Sequence, residues 1–457
     1  MFTGKVLFVG FGSIGQAVAP VLLSHWNLDA SRVKAIAADH LGANVAQALG
    51  IEHRVLPLYA HNLDRILSAE LGPGDLLLNL SVNVSSKALV QWCQAHGVLY
   101  LDTCVEPWEG GYRFDDADSK ARATNYAMRE DILTLRGAGR PTAVIAHGAN
   151  PGIISHLAKA GLEGLARVLR VSRDLPEGKR SWGQLCQALG IRVIQIAERD
   201  TQRTNEPVEG FVNTWSVDGL LSEAWQCAEL GWGTHEAQLP PDGVEHVTGS
   251  KSAIFLDAHS ADVRVQSWVP SAGPQAAYCI THHEAISLAD FLTVPGEGGV
   301  AAYRPTVYYA YAPCEATRRS LTAWTIAGRK DPSKKLVLRG QLTSGYDQLG
   351  VLFIFNGGAF WYGSTVELDY ARATAPFNNA TSLQVVAGIV GALEWMLANP
   401  NAGLVEAEDL PHDEVLKVAQ PFLGNVQGRW TDWQPKRSSA APAGASHQTL
   451  QFSDFRL

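Results

Sequence analysis

Short apolar runs alternate with helix-like stretches over the first third of the chain. A strand buried on both faces reads as a continuous apolar run, whereas a half-exposed strand alternates between apolar and polar residues. This rhythm predicts an α/β domain with a parallel sheet in strand order 3-2-1-4-5-6. The predicted strands are Lys5–Val9, Val33–Ala37, Glu52–Leu56, Asp75–Asn79, Leu99–Asp102 and Ala143–Ala146.

A glycine-rich turn follows the first predicted strand. In a G-x-G-x-x-G turn the first glycine allows the tight bend, the second lets the backbone approach a pyrophosphate, and the third lets the helix lie close to the strand. The helix N-terminus then presents free N–H groups to the phosphates. We therefore predict a dinucleotide-binding Rossmann domain. Its turn would bind the cofactor through Gly10, Gly12, Ser13, Ile14 and Gly15.

Two further residues bear on this domain. Asp39 follows the second predicted strand, where an acidic side chain accepts hydrogen bonds from the ribose hydroxyls and repels a 2′-phosphate. This position favours NAD over NADP. Pro20 lies inside the predicted first helix, where we expect it to remove a hydrogen bond and kink the axis.

The loops after the later strands form the rest of the predicted cofactor site, since ligands of such sheets bind at the carboxyl ends of the strands. The loop 147–152 places Asn150 and Pro151 among glycines ahead of a helix, which suits the nicotinamide end. The cofactor-binding residues assigned to these loops are Ser81, Val82, Thr103, Ala149, Asn150 and Pro151.

The pattern changes after about residue 165. Long loops rich in Gly, Pro and Trp now separate the strand-like segments, which predicts a second, mixed α+β domain with a largely antiparallel sheet. We expect the apolar helix Ser382–Leu397 to return to the first domain. The predicted division is 1–150 with about 374–430 for NAD binding, 151–373 for substrate binding and dimerisation, and a largely disordered tail at 434–457 with Phe452 and Phe455 able to dock. The segments predicted as strands are Arg167–Arg173, Arg192–Ala197, Thr306–Tyr311, Lys335–Thr343 and Val351–Asn356.

Composition narrows the class of protein. The net charge of −8 and the lack of a basic run argue against a nucleic-acid partner. No apolar run approaches the roughly 18 residues that cross a bilayer, so no membrane contact is expected. The six cysteines show no C-x-x-C pairing, which predicts reduced thiols. With the absence of a signal peptide at the start of the sequence, this predicts a cytoplasmic protein.

Two stretches of the second domain carry candidate chemistry. Trp215 and Glu223 could face one cleft and hold an ammonium or iminium ion between an aromatic face and a carboxylate, or be a core tryptophan and a surface glutamate. Adjacent histidines of a strand point to opposite faces. One of His282 and His283 would therefore face the cofactor cleft, or the histidines would be structural. No second cluster completes a zinc set, and no metal site is predicted. Tyr303, Tyr308, Tyr309 and Tyr311 are predicted to pack a sheet.

Several motifs together resemble those of the bacterial homospermidine synthases, which belong to the saccharopine-dehydrogenase-like group. The resemblance extends from residue 1 to about 430. Its motifs are G-F-G-S-I-G (10–15), L-D-T-C-V-E-P-W-E-G-G-Y (101–112), H-G-A-N-P-G (147–152), Trp215 with Glu223, T-H-H-E-A (281–285) and G-Y-D-Q-L-G (345–350).

The resemblance implies a redox-neutral reaction. Bound NAD takes a hydride from putrescine, a second putrescine displaces ammonia from the imine, and the retained NADH reduces the new Schiff base to homospermidine. It also implies a homodimer, potassium as an accessory ion and spermidine as a further candidate substrate.

Carried over by position, the resemblance gives roles to single residues. Trp215 would lie against the cationic imine, and Glu223 and Glu198 would bind amine ends of the diamine. Glu106 and Asp347 would complete an anionic channel. Asn150 would hold the contact between substrate and cofactor, and His282 would transfer protons near the reacting nitrogen.

Two other functions remain open from the residues alone. A net oxidoreductase of the saccharopine or carboxyspermidine dehydrogenase type would need arginines for its substrate carboxylates. Arg113, Arg199 and Arg304 keep that alternative open. A non-catalytic NAD-binding regulator would need no clustered carboxylates.

Overall fold

The protein is described by a computed structural model, which covers residues 2–114, 116–171, 178–436 and 450–457. Its first third forms alternating strands and helices. These are β1 (Val6–Val9), α1 (Ser13–His25), β2 (Val33–Ala37), α2 (Ala43–Ala48), β3 (Glu52–Val55), α3 (Leu63–Glu70), β4 (Leu76–Asn79), α4 (Ser86–His96), β5 (Leu99–Asp102), α5 (Ala117–Arg122), α6 (Asn125–Leu133) and β6 (Ala143–Val144).

Longer and mostly antiparallel strands follow. The elements are α7 (Ile153–Leu169), α8 (Gly178–Ala188), β7 (Ile191–Asp200), β8 (Arg203–Thr204), β9 (Phe211–Asn213), α9 (Val217–Trp225), β10 (Cys227–Gly231), β11 (Gly243–Glu245), β12 (Ala253–His259), β13 (Arg264–Val269), β14 (Gly273–Ile280), α10 (His283–Phe291), β15 (Val294–Pro295), β16 (Ala301–Tyr303), β17 (Thr306–Ala312), α11 (Glu315–Ile326), β18 (Lys335–Val337), β19 (Leu342–Ser344), β20 (Tyr346–Phe355), β21 (Gly358–Glu367) and α12 (Leu368–Thr374).

The chain then returns to the first sheet before it ends. The last elements are α13 (Ala380–Ala398), β22 (Leu404–Val405), α14 (His412–Ala419), β23 (Asn425–Thr431) and α15 (Phe452–Phe455).

The first sheet is parallel throughout and has the order β22-β6-β5-β4-β1-β2-β3. The predicted order 3-2-1-4-5-6 is therefore confirmed, and β22 adds a seventh strand from the end of the chain. Strands β1 and β4 are fully buried, as their continuous apolar runs indicated.

The second sheet is built around β7, which pairs in parallel with β17 and antiparallel with β20. Its main path runs β11-β12-β10-β17-β7-β20-β21-β23. All other neighbouring strands of this sheet are antiparallel to each other, so the prediction of a largely antiparallel sheet is confirmed.

Helix α13 joins the two halves. It packs against α1 beside the first sheet, where the indole Nε1 of Trp26 donates to Glu394 at 2.5 Å. The helix has the length and composition of a membrane span, but most of it is buried inside the protein, as expected of a core helix. The predicted return of this helix to the first sheet is thus observed.

Four expectations need correction. Residues 167–169 belong to helix α7 rather than to a strand, because Leu162, Leu165 and Ala166 are buried at helical spacing; part of that predicted segment lies outside the described residues. The predicted strand Lys335–Thr343 is instead the two short strands β18 and β19, which pair with different partners. Helix α1 continues through Pro20, which lacks only the N–H that would bond to the carbonyl of Gln16.

The fourth correction concerns the end of the chain. Strand β23 pairs with β21, so this part of the segment 374–430 belongs to the second sheet. Phe452 and Phe455 are fully buried, as the expectation that they could dock allowed, and residues 450–457 are ordered rather than disordered. Residues 437–449 of the predicted tail lie outside the described residues.

Candidate active site

The glycine turn between β1 and α1 has the shape of a phosphate cradle. Gly10 has a φ of +85°, and a Cβ there would lie 2.7 Å from the Ser81 backbone nitrogen. A Cβ on Gly15 would lie 3.1 Å from the Gly10 carbonyl oxygen and the same distance from the Phe11 ring. A Cβ on Gly12, in contrast, would meet no atom within 4 Å. The turn is tight where the protein packs and open where a pyrophosphate would approach.

Asp39 lies two residues beyond the end of β2 and is exposed. Its Oδ1 accepts a hydrogen bond from the backbone N–H of Leu41 at 2.8 Å, which orients the carboxylate. An oriented, exposed carboxylate at this edge of the sheet can receive ribose hydroxyl groups and disfavours a 2′-phosphate.

The loop after β6 is held by very close backbone packing. The Gly148 N–H donates to the Pro151 carbonyl at 2.7 Å. A Cβ on Gly388 of α13 would lie 1.9 Å from the Gly148 carbonyl oxygen, so only a glycine in the helix lets the loop lie this close. Helix α13 thereby fixes the position of Ala149, Asn150 and Pro151.

A cavity of about 140 Å³ lies where this loop meets the second sheet. Cavities of about 150 Å³ can hold a benzene-sized molecule, which has as many heavy atoms as a four-carbon diamine. Six of the seven predicted catalytic residues line it, namely Glu106, Asn150, Glu198, Trp215, Glu223 and His282. The cofactor-binding residues that line it are Ile14, Ser81, Val82, Thr103, Ala149, Asn150 and Pro151. The remaining predicted cofactor-binding residues, Gly10, Gly12, Ser13, Gly15 and Asp39, are not in its lining.

Glu198 is a buried carboxylate on the cavity side of β7. The Tyr309 hydroxyl donates to its Oε2 at 2.6 Å, and the Asn150 side-chain amide donates to the same atom at 3.3 Å. Burial raises the pKa of Glu198 to about 8, and the Tyr309 hydrogen bond opposes that rise. The group can therefore exchange a proton near neutral pH.

His282 lies between two carboxylates. Its Nδ1 is 3.1 Å from Oε1 of Glu284, and its Nε2 is 3.3 Å from Oε2 of Glu223. Burial opposes protonation, but the charges of Glu284 and Glu223 raise the pKa of His282 well above its ordinary value. The imidazole is thus held in its protonated form.

The contact between His282 and Glu223 lies in the cavity wall. His282 Nε2 and Glu223 Oε2 are buried and face each other at 3.3 Å as an ion pair, and neither has a further hydrogen-bond partner among the described residues. Both residues line the cavity, so a bound molecule can reach this pair.

Trp215 forms the aromatic part of the lining. Its ring lies over the first turn of α9, where a Cβ on Gly219 would come within 2.8 Å of the Trp215 Cζ3 atom. The N-cap residue Ser216 accepts the Gly219 N–H at 3.0 Å and starts the helix that carries Glu223. The tryptophan and the carboxylate thus reach the same cavity, as their spacing suggested.

Glu106 lies in the loop after β5 and accepts the Asn83 N–H at 3.1 Å. Burial raises the pKa of Glu106 to about 7, the Asn83 hydrogen bond lowers it, and the charge of Glu223 raises it further. The two carboxylates are therefore electrostatic neighbours in the cavity.

Asp347 is the one predicted catalytic residue that does not line the cavity. Its Oδ2 accepts the Thr381 hydroxyl at 2.5 Å, and it is Thr381 that reaches the lining. Burial raises the pKa of Asp347 well above its ordinary value, and the charges of Glu198 and Asp200 add to this. Asp347 of β20 lies directly opposite Asp200 of β7 in the antiparallel strand pair.

Sequence reasoning missed several lining residues. Tyr309 was assigned to sheet packing, yet its hydroxyl contacts Glu198. His282 and His283 are not strand neighbours, because α10 begins at His283. Both line the cavity, and His283 Nε2 also lies 2.9 Å from Oε1 of Glu406. Other lining residues without a predicted role include Tyr112, Asn125, Thr281 and Thr381.

The lining has a clear charge pattern. It contains the carboxylates of Glu106, Glu198 and Glu223, and none of the described residues that line it is a lysine or an arginine. Arg304 contacts Thr293 and the Trp232 carbonyl, and Arg199 contacts Gln275; both lie outside the cavity.

Two domain families match the chain. Residues 6–145 match the saccharopine dehydrogenase NADP binding domain, and residues 148–432 match the saccharopine dehydrogenase C-terminal domain.

Curated relatives match nearly the whole chain. A homospermidine synthase of Mesorhizobium japonicum is 41% identical over 444 residues, covering 95% of this chain and 91% of its own. A homospermidine synthase of Blastochloris viridis is 41% identical over 440 residues, covering 94% and 92%.

Solved structures agree with these matches. The homospermidine synthase of Legionella pneumophila in complex with NAD superimposes with a TM-score of 0.92 at 38% identity, over 100% of this chain and 98% of its own. Apo saccharopine dehydrogenase (L-Glu forming) of Saccharomyces cerevisiae shares the fold, with a TM-score of 0.50 at 11% identity over 94% and 100% of the two chains.

Proposed function

Since the chain belongs to the homospermidine synthase family of saccharopine dehydrogenase-like proteins, we propose that its acidic cavity converts two putrescine molecules to homospermidine and ammonia. The reaction is NAD-dependent and redox-neutral. The first putrescine is oxidised to an imine, the second displaces ammonia from it, and the resulting Schiff base is reduced to the product.

The charge pattern of the cavity is the observation that carries this proposal. A diamine dication needs separated carboxylates and an apolar or aromatic wall between them, which Glu106, Glu198, Glu223 and Trp215 supply. The substrate of a saccharopine-type dehydrogenase carries carboxylates and calls for arginines, which the described lining residues do not provide. The cavity therefore favours the polyamine reaction over the net oxidoreductase.

The residues at the glycine turn fit the cofactor. The open space at Gly12 and the free N-terminus of α1 suit a pyrophosphate, and Asp39 suits the ribose of NAD rather than NADP. When bound, NAD supplies the hydride acceptor of the first half of the reaction and the hydride donor of the second. Ser81, Thr103 and the loop 149–151 would hold its nicotinamide end beside the cavity.

Glu198 serves as the base in this proposal. An ammonium group must lose a proton before the neighbouring carbon can release a hydride, and a base acts best when its pKa lies near the working pH. The pKa of about 8 meets that condition. Tyr309 and Asn150 orient the carboxylate through their hydrogen bonds to Oε2.

His282 and its neighbours act on the leaving and entering amines. The protonated imidazole, which lines the cavity, can give a proton to the departing amine through Nε2, the atom that faces Glu223. Trp215 faces the cationic imine, and Glu223 and Glu106 bind amine ends of the diamine. Asp347 acts through the hydroxyl of Thr381, so we assign it a positioning role.

Product analysis tests the proposal directly. The protein is incubated with putrescine and a catalytic amount of NAD, and ammonia, homospermidine and free NADH are measured. We expect ammonia and homospermidine in equal amounts, many turnovers per NAD and no build-up of NADH. If NADH accumulates in step with the product, the protein is a net oxidoreductase and the proposal is wrong. If NAD binds and no product forms, the result favours a non-catalytic NAD-binding regulator.

Other expectations stay predictions alongside this reaction. We propose that 1–150 with the return through α13 and β22 binds NAD, while 151–373 binds substrate and forms a homodimer. The free state of all cysteines among the described residues agrees with a cytoplasmic location. Potassium as an accessory ion and spermidine as a second substrate also remain predictions.

A further inference from the structure

A second cavity, of about 230 Å³, lies at the C-terminal end of β7, where Arg199 and Asp200 line it. Four arginines line it, contributed by β7, β8, β13 and α11. They are Arg199, Arg203, Arg264 and Arg318. This concentration of positive charge stands out in a chain whose net charge is −8.

The acidic groups nearby leave most of this charge uncompensated. Glu315 forms ion pairs with Arg318 and Arg319 of the same helix, so one carboxylate is shared by two guanidinium groups. Asp200 also lines the cavity, but its carboxylate accepts hydrogen bonds from Gln202 and Thr214. Among the described residues, no carboxylate forms an ion pair with Arg199, Arg203 or Arg264.

Two of these arginines are held in place by neutral partners. Arg199 Nη1 donates to the Gln275 side-chain oxygen at 3.0 Å. The Arg264 guanidinium lies 3.9 Å from the centre of the Tyr278 ring, and its Nε donates to the Ala277 carbonyl. Such contacts orient a guanidinium and leave its charge available.

We propose that this cavity, which we call the arginine groove, is a binding site for a phosphate-type oxyanion. A planar guanidinium group can donate two parallel hydrogen bonds to two oxygens of one phosphate group. The site is compact, whereas a nucleic-acid backbone needs an extended basic stripe. The ligand is therefore free phosphate or the phosphate group of a small ester.

The groove lies behind the acidic cavity on the same strand. Glu198 and Arg199 are consecutive residues of β7, and successive side chains of a strand point to opposite faces of the sheet. Glu198 lines the acidic cavity and Arg199 lines the groove, so one strand carries a cation-binding site and an anion-binding site.

The test uses the NAD-loaded protein. The glycine turn is then occupied by the cofactor and cannot bind the added phosphate. Inorganic phosphate and ribose 5-phosphate are titrated separately, and thermal denaturation is compared with potassium chloride at equal ionic strength. We expect a melting temperature that rises with phosphate beyond the chloride effect. Tighter binding of inorganic phosphate would identify free phosphate as the ligand, and tighter binding of ribose 5-phosphate would identify a phosphate ester.

Matched variants locate the site. Arg203→Gln removes an exposed groove arginine whose side chain makes no ion pair with the described residues, and we expect the Kd of phosphate to rise about tenfold or more. Arg203→Lys should keep part of the affinity. Arg429→Gln makes the same charge change at an exposed arginine of β23 outside the groove, and should leave the Kd within about twofold.

Two results would overturn the proposal. One is a wild-type protein that responds to phosphate no more than to chloride. The other is an equal loss of phosphate affinity in Arg203→Gln and Arg429→Gln, which would show only a general effect of net charge. Neither result depends on turnover of putrescine, so the proposed reaction and the arginine groove are tested separately.

Discussion

The hydroxyl of Tyr309 donates a hydrogen bond of 2.6 Å to Oε2 of Glu198, across the parallel pair of strands β17 and β7. Both residues line the acidic cavity. This contact stabilises the ionised form of a carboxylate that burial otherwise keeps protonated.

Tyr309→Phe removes that hydrogen bond and should raise the pKa of Glu198. If Glu198 acts as a base in its ionised form, the acidic limb of the pH profile of kcat/KM moves to higher pH, and the rate at pH 7 falls about tenfold. The measurement is homospermidine formation against pH. Tyr308→Phe, on the opposite face of β17, is the control. An unchanged profile in Tyr309→Phe would exclude Glu198 as the titrating base.

Trp215→Ala should reduce kcat by more than about tenfold while the Kd of NAD stays the same. The variant removes the aromatic face beside the cation but leaves the glycine turn intact. Turnover and NAD titration are measured side by side, and the exposed Trp430→Ala serves as control. An equal loss of NAD affinity would instead identify Trp215 as structural.

Gly12→Ala should abolish NAD binding without lowering the melting temperature of the ligand-free protein. A Cβ there meets no protein atom within 4 Å but occupies the space where a pyrophosphate would approach. Gly10→Ala is the contrasting variant, since its Cβ would lie 2.7 Å from Ser81 and its φ is +85°. It should lower the melting temperature as well. Calorimetric NAD titration and thermal denaturation distinguish the two; retained NAD affinity in Gly12→Ala would contradict the assignment.

Glu198 should also make the stability of the ligand-free protein depend on pH. Its pKa is about 8 in the folded state and about 4.5 when unfolded, so the folded state binds more protons between these values. The contribution to stability is fully present below about pH 4.5 and is lost as the pH rises towards 8. Glu198→Gln should remove this part of the fall in melting temperature, whereas the exposed Glu245→Gln should not. Parallel pH profiles for Glu198→Gln and the wild type would show that the carboxyl group has no such shift.

The sequence predicted the first sheet well because its signals are local. Each buried strand is a short apolar run, and strands that alternate with helices follow a known order, so the arrangement of the sheet could be predicted from the sequence. The motif that supplies Trp215 and Glu223 brings both residues to one cavity.

The parts that sequence reasoning missed depend on contacts between distant segments. The role of Tyr309 arises because β17 pairs with β7, more than a hundred residues earlier, and no pattern within β17 distinguishes Tyr309 from the core residue Tyr308. Thr381 reaches the cavity from α13, which appeared in the sequence only as an apolar helix. The resemblance placed Asp347 in the anionic channel, but its carboxylate accepts the Thr381 hydroxyl, and of the two only Thr381 lines the cavity. That contact joins β20 to α13 and has no signal in the sequence.

The seventh strand of the parallel sheet has a consequence for biosynthesis. Strand β22 pairs with β6 although some 260 residues separate them, and the loop that precedes α7 rests on Gly388 of α13. A nascent chain on the ribosome therefore cannot complete its nucleotide-binding half until residue 405 has emerged. Premature termination anywhere in the second sheet would therefore leave the parallel sheet without β22 and the loop that precedes α7 without its support from α13.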